Sequence, residues 1–245
     1  MLNMQLIERY ILFLISLEFM SLGIAFTIHA NLGVTSISAL PYVLSLGLPP
    51  SVGQFNMMLH ALFVIIQICL LRNKFEKKQL LQIIIGIIFG SLIDLNNHFL
   101  KKINSKIYII QIILVLIGSF LLAFGITIQV FIKTINSAAE GFLITLVNVF
   151  NLPFGKTKVA LDITLLIFAV IFSLILLKKI EGVREGTVLS SFGIGYFAGI
   201  LKPKIGDYII NFLYRNFPER KGEENFNNNF FVDDNNINNN LKELI

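Results

Sequence analysis

Apolar runs of about 20 residues recur along this chain, each long enough to cross a hydrocarbon core of about 30 Å. A chain built this way must put most of its outer surface against lipid. The composition agrees. Only 14% of its 245 residues are charged and 55% are hydrophobic, where a soluble domain carries roughly 25% charge. Mean hydropathy is +0.77. A cytosolic enzyme, a disordered protein and a secreted disulfide scaffold are excluded, and a polytopic membrane protein is expected. The net charge of +5 records topology in such a chain and does not imply nucleic-acid binding. The single cysteine, Cys69, lies inside an apolar run and reads as a small hydrophobe.

The hydropathy pattern predicts long helices at about Ile11–Ile28, Gly53–Leu71, Leu80–Ile93, Ile107–Val130, Gly155–Leu177 and Gly186–Leu201. The first run carries Glu18 and lacks both a basic head and a small-residue cleavage site, so it reads as a retained span. Two shorter segments, about Val34–Leu46 and Ser137–Phe150, end in Pro-containing turns. A segment of about 13 residues rises only about 20 Å, which suits a re-entrant or half helix. Lys202-Pro203-Lys204 is expected to break the last long helix, leaving a short amphipathic turn at Ile205–Leu213. The tail from Arg215 is Asn-rich and charged and is expected to be disordered. The transmembrane domain thus covers residues 1–214 and the tail 215–245.

An internal repeat organises these elements. At one constant offset, Gly23-Ile24 falls on Gly125-Ile126, Gly53 on Gly155 and Leu59 on Leu161. After a longer second connector, Gly86 and Gly90 match Gly195 and Gly199. The repeats cover about 10–100 and 107–205. The expected fold is an all-α bundle of about six transmembrane helices plus two short re-entrant or half helices. If the short segments span instead, the bundle has eight crossings and parallel halves. Basic connectors at Arg72–Lys78 and Lys178–Arg184 favour parallel halves; Lys101, Lys102 and Lys106 fit neither scheme cleanly, and the balance leans slightly towards inversion.

The strings Ala139-Glu140-Gly141, Phe154 to Asp162 and Gly182 to Val188 resemble those of the YczE/YyaS/YitT family of bacterial integral membrane proteins. The resemblance covers about residues 10 to 210. It implies a multi-helix bundle in the bacterial cytoplasmic membrane and carries no reaction with it.

Ionisable side chains inside spans are expensive, roughly 2.5–3.5 kcal/mol each at a helix centre, and mark candidate sites. Lys158 and Asp162 are four apart and can pair on one helix face. The repeat places Asn56 and His60 at the equivalent positions, and Ser38 opposite Glu140. Three polar positions in register suggest one pseudo-symmetric site between the halves. Each also has a structural reading: Lys158 can snorkel with Asp162 as its partner, His60 can be a packing histidine, and Glu140 can favour a helix N-terminus. Glu18, inside the first run, is a further binding-site candidate, with a bundle-facing hydrogen bond as its structural reading. Asp94, Asn96, Asn97 and His98 read as an interfacial cap at a helix exit, and the two glycine pairs as close helix packing. No enzyme motif or metal-ligand spacing is present, so neither catalysis nor a cofactor is expected. The expected partners are the bilayer and a small solute or ion, with a second copy or another membrane protein as further candidates. A secondary transporter or permease is the first functional expectation; a non-transporting scaffold or regulatory subunit is the second. A cavity joining Asn56, His60, Glu140 and Asp162 would separate the two.

Overall fold

A computed structural model describes residues 2–103, 106–132 and 137–213. The tail from Arg215 lies outside them. The described residues form eight helices and no strand: α1 (Leu2–Ala30), α2 (Ser36–Gly47), α3 (Val52–Leu71), α4 (Leu81–Leu100), α5 (Tyr108–Ile132), α6 (Ala138–Phe150), α7 (Phe154–Leu177) and α8 (Glu185–Leu213). Five of them, α1, α3, α4, α5 and α7, are long and apolar enough to cross a membrane. The two short helices fall where the sequence expects them.

Helix α1 begins at Leu2, ahead of the expected start at about Ile11, and two further boundaries differ from expectation. Helix α4 runs through Asp94–His98 to Leu100, so these residues do not cap a helix exit. Asp94 and Asn96 are used inside the bundle instead, while His98 is exposed. Asp94 accepts from the Ser51 hydroxyl at 2.5 Å and from the Gly53 amide at 2.8 Å, and Asn96 donates to Glu18 at 3.1 Å and to Ser21 at 2.8 Å. Helix α8 likewise continues through Pro203 to Leu213. A proline removes one backbone bond and strains the turn before it, and here the flanking turns hold the helix together.

The packing pairs of the two halves correspond. Helix α1 packs along α5; α1 packs on α4 as α5 does on α8; α2 on α3 as α6 on α7; and α2 on α7 as α6 on α3. The α1–α5 seam is reciprocal in detail. A methyl group on Gly23 would lie 2.6 Å from the Gly118 carbonyl oxygen, and one on Gly125 would lie 2.6 Å from that of Ser16. At the far end Arg9 donates to the Ile132 carbonyl at 2.8 Å. As the numbering falls along α1 it rises along α5, so the two run antiparallel.

That direction settles the crossing number. Chain direction reverses at every crossing, so an antiparallel α5 requires an odd number of crossings before it. Helices α1, α3 and α4 supply three. Helix α2, with 12 residues and a rise of about 18 Å, is a half helix, as is α6. The halves are inverted, and the scheme of eight crossings with parallel halves is not the one this chain adopts.

The half helices are pinned from opposite sides. Before α2, the Leu32 carbonyl accepts from the Gly186 amide at 2.7 Å, and the Val34 amide donates to the Gly182 carbonyl at 3.0 Å. Gly33 has φ +98, and a side chain there would meet Thr187 Oγ1 at 2.5 Å and the Arg184 amide nitrogen at 2.7 Å. Only glycine suits that crossing of the chain. Before α6 the pinning group is Gln67, whose amide donates to Gln82 at 3.1 Å and to the Ala138 carbonyl at 3.2 Å.

Candidate functional site

Four helices close a ring, α2 on α3, α3 on α6, α6 on α7 and α7 on α2. Six of the seven sequence-predicted site residues stand on it: Ser38 on α2, Asn56 and His60 on α3, Glu140 on α6, and Lys158 and Asp162 on α7. The ring maps onto itself when the halves are exchanged. Glu18 stands apart on α1, where it accepts from Asn96.

Helix α3 forms because it is mostly apolar and firmly started. Ser51 and Gln54 make a reciprocal capping box, reinforced from α4 by Asp94. Its buried face carries Gly53, Asn56, His60 and Gln67 at helical spacing, a polar stripe through an otherwise apolar span. Asn56 is 0% exposed and His60 3%. The His60 ring lies nearly parallel to Phe89, centroids 5.8 Å apart, and a methyl on Gly86 would sit 2.9 Å from His60 Cβ. Both side-chain polar atoms of Asn56, His60 Nδ1 and Gln67 Oε1 are buried without a hydrogen-bond partner in the protein. Each such group costs about 1–3 kcal/mol, so the stripe is expensive to keep.

The second half presents charge at the matching level. Lys158 and Asp162 pair at 3.6 Å, with side chains 51% and 28% exposed. Lys158 also acts electrostatically on Glu140, whose amide is capped by Ser137 at 3.3 Å. On α2, Ser38 is buried and accepts from Thr35 at 3.1 Å. The stripe and the charged group therefore share one ring.

An open recess lies elsewhere. About 320 Å³ in volume, it is lined by Asn31, Gly33, Tyr42, Lys179, Glu181 and Arg184, among others, on the α7–α8 connector side. Lys179 pairs with Glu181, and Arg184 donates to the Asn31 carbonyl at 3.0 Å and to Glu185 at 2.9 Å. At this end, outside the apolar spans, the Glu185 carboxyl is held below its ordinary range by its own backbone amide and by Arg184. No metal-ligating cluster occurs among the described residues.

The sequence reading did not single out Gln67, Gln82 or the recess. Gln67 was visible in principle, since it continues the Asn56–His60 spacing by two further turns. The recess was not visible, because it assembles from connectors far apart in the chain.

The arrangement defines a class: a polytopic helical membrane protein whose two inverted halves enclose a ring of half helices and polar spans. The chain belongs to a family of unknown function, DUF6198, whose model matches residues 7–203, from the first apolar run into α8. No curated protein and no solved structure matches it.

Proposed function

We propose that this chain is a secondary transporter or permease for a small polar solute, acting in the bacterial cytoplasmic membrane. The observation that carries the reading is the buried stripe of Asn56, His60 and Gln67 with unused hydrogen-bonding atoms, in a ring built across an inverted repeat. Inverted repeats with broken helices at mid-membrane are the usual architecture of secondary transporters. Buried donors and acceptors left unpaired by the protein are what a polar solute can pair with. Glu140 or Asp162 would serve as the carboxylate that binds a coupling proton or cation, with Lys158 adjusting both. The resemblance to the YczE/YyaS/YitT family supports the bacterial membrane setting.

A scaffold or regulatory subunit is the second reading. It is favoured by the recess of the present conformation, which is not lined by the stripe. Uptake profiling of metabolites and ions in a deletion strain separates the two. The transport reading expects at least one solute whose uptake returns with the intact gene and not with His60→Leu or Asn56→Leu protein present at normal levels in the membrane. An uptake profile that is the same with and without the chain would contradict it.

A further inference from the structure

The two inverted halves are not in the same state. In the first half, α4 lies tightly along α3. A methyl group on Gly53 would overlap the Gly90 carbonyl oxygen, one on Gly90 would lie 2.6 Å from Met57, and one on Gly86 would lie 2.9 Å from His60. In the second half the matching glycines, Gly155, Gly195 and Gly199, have nothing within 4 Å of such a group. Helix α8 packs on α5 and α7 on α2, but α7 is not packed along α8. Accordingly 17% of the α7 span is buried, against 39% for α3. The expectation that Gly195 and Gly199 pack a helix crossing is not met in this conformation.

We propose that the α7–α8 cleft is the open gate of this conformation, and that its occupant in the alternative state is α7 itself, closing on Gly195 and Gly199 as α3 now closes on Gly86 and Gly90. Three observations argue for this occupant. The sequence supplies glycines at both matching positions of α8 and at the α7 start, although the present packing requires none of them. The repeat shows what geometry they permit, because the same spacing in the first half brings two backbones into contact. The third observation is the charged pair. Asp162 is the repeat mate of His60, which is buried against Gly86. Closure would carry Asp162 against Gly195 and withdraw the half-exposed Lys158–Asp162 pair from its surroundings. Burying a charged pair is costly unless the charges are matched, and Lys158 matches Asp162 only while the carboxylate is ionised and carries no other cation. A proton or cation bound at that pair would thereby set the state of the gate. The inference deepens the transport reading by assigning regulation to the same ring.

The test is a cross-link placed by the repeat. Met57 and Gly90 touch, and their mates are Val159, now 57% exposed, and Gly199. In a Cys69→Ser background, Val159→Cys with Gly199→Cys should form an intramolecular disulfide when membranes are oxidised. Adding Gly195→Leu, whose Cβ would have nothing within 4 Å in the present conformation, should leave the protein folded and abolish that band. Failure of the pair to cross-link under any condition, in protein present at parental levels in the membrane, would overturn the proposal. So would a purely intermolecular cross-link, which would assign the cleft to a second copy. A cross-link formed by a protein that moves no solute would retain the gate and remove the transport reading; uptake that continues with no cross-link would do the reverse.

Discussion

Asp94 shows how one side chain can set the geometry of a whole hairpin. Its carboxylate takes the Ser51 hydroxyl and the Gly53 amide at the start of α3, satisfying a helix end that lies half-buried against α4. Asp94→Ala leaves those donors without their acceptor, at a cost of about 1–3 kcal/mol. It should lower the thermal denaturation midpoint in detergent; a midpoint equal to that of the parent would show that water replaces the carboxylate freely. The Lys158–Asp162 pair should behave differently. With both side chains partly exposed, either single loss costs about 0.3–0.5 kcal/mol, so Lys158→Met and Asp162→Asn should both accumulate in the membrane as the parent does. A strong drop in folded yield for one variant, restored in the double variant, would mean that the pair is already buried in the resting protein.

At the scale of the elements, glycine positions that look alike in the sequence have opposite consequences. Gly53→Ala forces α3 away from the Gly90 carbonyl and should cost about 1–3 kcal/mol. Its mate Gly155 has open space around it, and Gly155→Ala should be neutral or stabilising by up to about 1 kcal/mol, because alanine is the better helix former. Equal losses at both positions, measured by thermal melts in the same detergent, would contradict the asymmetry between the halves. The helices and their repeat order were legible in the sequence because apolar run length and proline turns report on local geometry. The α4 and α8 ends were not. Asp94 and Asn96 look like surface residues until their partners on α3 and α1 are in place, and Pro203 looks like a terminator because a linear reading cannot see the turns that hold the helix on either side. The polar register of Ser38, Asn56 and His60 with Glu140, Lys158 and Asp162 was readable for the same reason as the repeat. That Asn56 and His60 are sealed while Lys158 and Asp162 are half-exposed could not be read, because it depends on which pair of helices is closed.

For the whole molecule, everything rests on the inversion of the halves. It follows from the antiparallel α1–α5 seam, where Gly23 meets Gly118 and Gly125 meets Ser16. It makes α2 and α6 half helices and places the α3–α4 and α7–α8 connectors on opposite faces, with the ring of α2, α3, α6 and α7 between them. The turn after α2 and the turn after α6 are repeat mates, so their sidedness is the most direct test. In a Cys69→Ser background, Pro49→Cys in the turn after α2 and Lys156→Cys in the first turn of α7 each place one thiol at an exposed position, to be labelled by a membrane-impermeant maleimide in intact cells and in inverted vesicles. The inversion predicts that one is labelled only in cells and the other only in vesicles. Labelling of both from the same side would mean parallel halves and would contradict it.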